Sequence, residues 1–303
     1  MIRIAAIVSG VCCLVMCFLS AARTARASES DTIYWSGSRA GTQQVFGDIP
    51  PVSRICWSPD AKNLVLVTAD RSLWIIKPAE YKHPKRLTGP IESLGAVQWS
   101  TDGRWLVVEG ERPSDQQPDY PWGTLWLLDP EGKSPRKDLL PPGSPFKTPG
   151  RRWIQSAEWL DKDRVYFSMH CGTGCTGHYA INVNDDSYQI FCIGTGQLEW
   201  APDRKIAVAE NYGSGPNPVG LGLVTVQSGV ALGAGSSPFQ YDRACKSVFS
   251  GGPRTDDPGE VPAFITWLPD SRMVLYSNFA DKSLRLWDTQ TGLRTTLIAG
   301  HRR

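Results

Sequence analysis

Two histidines, two cysteines and three glycines fall within nine residues, 170–178, in the order HCGTGCTGH. Three chemistries fit those residue types. Gly172, Gly174 and Gly177 match the G-x-G-x-x-G spacing that brings a backbone close to a pyrophosphate. His170, Cys171, Cys175 and His178 are donors of the kind that zinc takes. Cys171 and Cys175 are also spaced to be joined across a short loop. The compartment of the chain and the elements flanking the stretch decide among the three.

The compartment is read from the start of the chain. Arg3, an apolar run from Ile4 to Leu19 and a small-residue exit ending Ala25-Arg26-Ala27 have the form of a secretory signal peptide over residues 1–27. The run is shorter than the roughly 20 residues a bilayer-spanning helix needs. An uncleaved anchor is the competing reading, with Arg23 and Arg26 on the exported side. Without the leader, Lys+Arg falls from 32 to 29 against 30 Asp+Glu, so the basicity belongs to the leader. No basic patch argues for nucleic acid, and no later segment is apolar enough to cross a membrane. Cys56, Cys171, Cys175, Cys192 and Cys245 remain after the leader, and in an exported protein pairing is the default. Five is odd, so one thiol stays unpaired within the chain.

The elements come from a repeat. ICWSPDAKNLVLVTA, VQWSTDGRWLVVEG, AEWLDKDRVYFSM, LEWAPDRKIAVAE and ITWLPDSRMVLYS are five copies of one phrase, anchored by Trp57, Trp99, Trp159, Trp200 and Trp267. The tryptophans lie 42, 60, 41 and 67 residues apart, two unit lengths and two units with insertions. Each phrase reads as an apolar strand ending at Trp, a polar turn and a second strand. In four copies an aspartate stands three residues after the Trp (Asp60, Asp102, Asp203, Asp270), where it can bond its own backbone in an Asx-type turn. The third copy offers Asp161 and Asp163 instead. Third strands follow as SLWIIKP, TLWLLDPEG, YAINVNDD, LGLVTVQSG and SLRLWDTQTG, and a fourth ends the chain at RTTLIAG. Four antiparallel strands per unit of this length predict an all-β chain, a β-propeller of four-stranded blades. Twenty-nine glycines and 23 prolines suit its turns. Residues 28–303 read as one domain of about six blades: five clear repeats, plus a partial blade at residues 32–46, which align with SLRLWDTQTGLRTTLI.

The WSPD-x-x-x-L phrase resembles the WD40-like propeller repeat of TolB-type periplasmic proteins, which is also similar to the propeller of prolyl-peptidase-like enzymes. The resemblance covers most of residues 50–300 and implies a propeller of six to eight blades. It marks architecture, not activity. The chain departs from the TolB type in that its repeats begin almost directly after the leader.

HCGTGCTGH now has a place, between the second and third strands of the third repeat. A dinucleotide loop needs a helix after its glycines, and here a strand follows. Adjacent His170 and Cys171 face opposite ways on a strand, and oxidised cysteines cannot serve as thiolate ligands. A Cys171–Cys175 disulfide stapling a hairpin is the preferred reading, with Cys192 and Cys245 as a further possible pair and Cys56 as a buried thiol. The four histidines (His83, His170, His178, His301) read as solvated loop residues, and no motif for a catalytic triad, a metal or a cofactor is expected.

What remains is loop surface. ERPSDQQPDYPWG (111–123) carries Tyr120 and Trp122; a second insertion, 235–261, carries Phe239, Tyr241 and Arg243. Aromatics and arginine on loops of a rigid scaffold are what recognition surfaces use. The expected function is an exported, non-enzymatic propeller, periplasmic or secreted, that binds a partner protein or an envelope component. The alternative is a propeller enzyme, a hydrolase or lyase acting on a peptide, sugar or lactone in the central channel.

Overall fold

The computed structural model describes residues 49–77, 83–112, 122–141, 154–172, 175–195, 198–211, 220–232, 252–253, 257 and 260–300. They form a β-propeller whose five repeats are five antiparallel sheets, with no α-helix among the described residues. Blade 1 is β1 (Val52–Trp57), β2 (Leu64–Thr68), β3 (Leu73–Ile76) and β4 (Lys85–Thr88). Blade 2 is β5 (Val97–Trp99), β6 (Leu106–Arg112), β7 (Trp122–Leu128) and β8 (Lys137–Asp138). Blade 3 is β9 (Ile154–Trp159), β10 (Arg164–Gly172), β11 (Cys175–Asn182) and β12 (Tyr188–Thr195). Blade 4 is β13 (Leu198–Trp200), β14 (Ile206–Asn211) and β15 (Gly220–Thr225); β16 (Val230–Leu232) follows it. Blade 5 is β17 (Pro262–Trp267), β18 (Met273–Asn278), β19 (Ser283–Asp288) and β20 (Arg294–Ile298). The leader and residues 32–46 lie outside the described residues.

The turn after each Trp is built from its own sequence. The carboxylates of Asp60, Asp102, Asp203 and Asp270 accept the backbone N–H two residues on, at 3.0–3.1 Å. In the third repeat Asp161 does the same for Asp163 and Arg164. The residue after each of the four aspartates is left-handed: Ala61, Gly103, Arg204 and Ser271, with φ between 56° and 72°. Only one of them is glycine. A Cβ on Gly103 would meet nothing nearer than Pro59 Cδ at 3.7 Å, so backbone conformation alone sets its cost. Gly103→Ala is expected to lower the unfolding free energy by about 1 kcal/mol, and Ala61→Gly to leave it unchanged or raise it. Urea denaturation of the two variants checks this; a destabilised Ala61→Gly would overturn the account.

The tryptophans do more than mark the repeat. Trp99 Nε1 donates to the Cys56 carbonyl (3.1 Å), Trp159 Nε1 to that of Gln98 (3.2 Å) and Trp267 Nε1 to that of Glu199 (2.8 Å). Each acceptor immediately precedes the Trp of the blade before. Every such indole therefore fills an inter-blade space and ties two inner strands together. The apolar core is correspondingly divided among blade interfaces. Val65, Leu73 and Ile75 of blade 1 pack on Val97, Leu106 and Val108 of blade 2. Ala201, Val208 and Leu221 of blade 4 pack on Trp267, Val274 and Trp287 of blade 5. Burying each such large side chain is worth about 1.5–3 kcal/mol.

Blade 4 departs from four strands. After β15 the chain does not return as its fourth strand; β16 pairs instead with the outer edge of β12, giving blade 3 a fifth strand (Tyr188↔Leu232, Gln189↔Ala231, Ile190↔Val230). The free edge of β15 is met by the end of the long insertion, where Leu221 N–H donates to the Pro253 carbonyl at 2.9 Å.

Candidate functional site

The repeat tryptophans do not share one environment. Trp99, Trp159, Trp200 and Trp267 are buried, at most 9% exposed, whereas Trp57 is 52% exposed. No described sheet precedes blade 1 to cover its indole. The neighbours of Trp57 on β1, Val52 and Ile55, are exposed with it. At the other end of the array, Val261, Ile265, Phe279, Leu293, Leu297 and Ile298 are exposed on or beside blade 5. These nine are all the large apolar side chains exposed among the described residues, and none lies on blades 2, 3 or 4. On blade 5, exposed Ile298 of β20 stands opposite half-buried Leu284 of β19. Scattered apolar residues are ordinary on a protein surface; their confinement to the two terminal blades is not.

Polar chemistry gathers at the junction of blades 3 and 4. Tyr166 Oη and His178 Nδ1 are 2.7 Å apart, and both residues are almost wholly buried. The rings lie parallel, and Trp200 stands edge-on to Tyr166 with centroids 5.7 Å apart. Phe191 meets the same indole edge-on at 5.2 Å. Trp200 Nε1 and His178 Nε2 are buried without hydrogen-bond partners in the described structure. Of the four junctions between successive described blades, this one lacks the Trp-to-carbonyl bond. Burial holds the His178 pKa down to about 3 and pushes that of Tyr166 well above its ordinary value. At 1% exposure His178 is closed to a substrate, so its role here is structural.

His178 therefore corrects the expectation of a solvated loop histidine. The hairpin of β10 and β11 extends to the pairing of Gly172 with Cys175, which places His178 within a strand. Its face, shared with Ala180 and with Tyr166 across the pair, is packed against blade 4. Strand alternation from Thr176 through Ala180 was the signal for this. Of the other histidines, His83 is exposed, His170 is half-buried in β10 and His301 lies outside the described residues.

Cys171 lies in β10 and Cys175 opens β11, at the mouth of that hairpin; their side chains lie outside the described residues. Cys192 is buried as the register partner of His178, and Cys245 lies outside the description. Cys56 is half-buried, its thiol donating to the Val97 carbonyl at 3.3 Å, and burial pushes its pKa up. Among the described residues no three His, Cys, Asp or Glu side chains converge as a metal site. Tyr120, Phe239, Tyr241 and Arg243 lie outside the described residues; Trp122 opens β7, with its backbone paired to Arg112. No helix among the described residues is long and apolar enough to cross a membrane.

The end of the second insertion is described, and it is anchored by charge. Glu260, 5% exposed in its side chain, takes Arg285 at 2.5 Å and Arg294 at 3.6 Å. Arg285 also holds Asp281 at 2.5 Å, and Arg294 holds Asp257 at 2.9 Å. Nothing in the repeat pattern signals this network, because Glu260 belongs to an insertion.

Fold and surface together define a β-propeller with an apolar surface at each end of its blade series. The chain is similar in fold to TolB-type proteins. It is 16% identical to one from Agrobacterium tumefaciens, with a TM-score of 0.43, covering 82% of this chain and 81% of that one. TolB from Acinetobacter baumannii is likewise 16% identical, with a TM-score of 0.41, covering 84% of this chain and 55% of the other. An acylaminoacyl peptidase from Pyrococcus horikoshii is 14% identical with a TM-score of 0.47, and the match spans 83% of this chain but only 39% of the peptidase. No family model and no curated protein matches the chain.

Proposed function

We propose that this chain is an exported β-propeller, periplasmic or secreted, that acts as a binding scaffold for a partner protein or a cell-envelope component. The observation that carries the reading is that the nine large apolar side chains exposed among the described residues all lie on or beside the first and last described blades. A rigid stack of sheets holds such a surface in place, so little ordering entropy opposes association. Trp57 is the natural anchor, since large aromatics dominate the binding energy of interfaces. The insertion residues Tyr120, Trp122, Phe239, Tyr241 and Arg243 extend the same reading to the loops.

The test is capture from envelope extracts by the wild-type chain and by a Trp57→Asp, Ile298→Asp double variant whose fold is verified by circular dichroism. A specific partner retained by the wild type and lost by the variant is expected. Identical recovery by both overturns the reading. Deletion of residues 32–46 forms a third arm. If it lowers Tm while the captured proteins stay the same, the apolar faces are covered by the chain itself and the reading fails.

A further inference from the structure

We infer that the outer edge of blade 1 accepts an extended, acidic peptide segment from a partner protein, added as a fifth strand beside β4. The inference rests on the scaffold reading and gives it a second, chemically specified surface. β4 is the last strand of its sheet, so alternate backbone N–H and C=O groups along Lys85–Thr88 point away from it. A groove of about 420 Å³ runs along this strand, bounded on the far side by the turn after β7, including Asp129, Gly132, Ser134 and Arg136.

This molecule already uses such an edge once. β12, the fourth strand of blade 3, takes β16 as a fifth through three residue pairs. The outer edge of blade 1 has no described strand beyond it.

The charge of the groove selects the occupant. Lys85, Arg86 and Arg136 line it against a single acid, Asp129. The Asp129 carboxylate is engaged by the backbone N–H groups of Glu131, Lys133 and Ser134 at 2.8–3.0 Å. Nearby Glu131 is held by Lys77 at 3.3 Å. On the cationic side, Lys85 donates to the Glu131 carbonyl at 2.8 Å, which leaves its charge without a carboxylate partner. Arg86 donates to Thr88 O and Ser72 Oγ, lies 5.8 Å over Trp74 and faces the Asp70 carboxylate at 3.9 Å, so the unpaired charge of the groove rests on Lys85 and Arg136. Arg136 stacks 4.6 Å over Trp126 and makes no hydrogen bond or ion pair among the described residues. An arginine held flat on an aromatic ring keeps its edge donors directed outward, the arrangement that takes a carboxylate bidentately. In an added strand alternate side chains face one way, so glutamates or aspartates two residues apart meet the groove together.

The test uses a fluorescent peptide of about eight residues with alternating valine and glutamate, long enough to pair along β4. Its binding is followed by anisotropy. The controls are the same peptide with lysine for glutamate and the same peptide N-methylated at alternate residues. Binding of the acidic peptide is expected to weaken about tenfold or more in Arg136→Glu and in Lys85→Glu, and to fall with added salt. The N-methylated and lysine peptides are expected not to bind. Three results overturn the inference: no binding of the acidic peptide, equal binding by the charge-reversed chains, or equal binding of the N-methylated peptide. Arg136→Glu leaves Trp57 and Ile298 intact, so partners captured through the terminal blades should persist in it. Failure at the groove is thereby separated from failure of the scaffold reading.

Discussion

Glu260→Ala should unfold more easily by about 3 kcal/mol, at the lower end of the 3–5 kcal/mol that breaking a buried ion pair costs. Glu260 is 5% exposed and meets Arg285, itself 18% exposed, at 2.5 Å. Removing the carboxylate leaves that guanidinium short of one counter-charge, and takes Arg294 and the Tyr276 hydroxyl from the same acceptor. Asp281 still holds Arg285, which is why the lower figure is expected. In a domain of this size the loss corresponds to a fall in Tm of about 6–10 °C. Glu260→Gln, which keeps an acceptor but no charge, should fall between the alanine variant and the wild type. Lys62→Ala, at an exposed pair with Asp60, should change stability by less than about 0.5 kcal/mol. Urea and thermal denaturation of the three variants decide this. A Glu260→Ala chain within 1 kcal/mol of the wild type, on the same scale, would show that the network is not buried in solution.

Acid should destabilise this propeller earlier than its carboxylates alone would make it. The folded pKa of His178, about 3, lies below the ordinary 6.5 because burial opposes the charged ring. A histidine that folds neutral contributes stability fully present above the unfolded pKa and lost as pH falls from 6.5 toward 3. Each pH unit within that window costs up to about 1.4 kcal/mol, so at pH 4.5 the loss approaches about 2.7 kcal/mol. The lowered carboxylates, such as Asp161 with its Arg164 partner, add their own loss only near and below the ordinary carboxylate range. Between pH 6.5 and 5 the histidine acts against Glu109, whose pKa burial raises and which favours the folded state as pH falls; Glu109 is common to both chains, so the difference between variant and wild type reports His178. His178→Gln keeps a hydrogen-bonding group near Tyr166 but cannot charge. It should be less stable at pH 7, yet show a much flatter dependence over that interval. Equal slopes for variant and wild type would sink the assignment.

Much of the architecture was legible because it is written in short windows. All five third strands read from the chain, SLWII to SLRLW, are strands in the structure, and the aspartates after the tryptophans make the turns their spacing implied. Less of the binding surface was legible. The aromatics of the insertions stand out in the sequence and lie, but for the backbone of Trp122, outside the described residues, whereas the exposed aromatics among the described residues are Trp57 and Phe279, and Trp57 stands at the same place in its phrase as its buried counterparts. Trp57 heads the first full copy of the repeat, with only the partial copy at residues 32–46 ahead of it. That was the available signal. β16 could not have been placed, since its pairing with β12 reaches back some forty residues past the three strands of blade 4.

Sequence by itself determined where the sheets begin and end, their antiparallel order, and the turn chemistry joining their strands. These depend on hydrogen bonds and side-chain alternation within a dozen residues. Tertiary structure alone decided which repeat tryptophans are covered, that His178 is buried against Tyr166, and which sheet edge β16 occupies. Those outcomes depend on what is packed opposite, and the same local phrase meets a different neighbour in each blade.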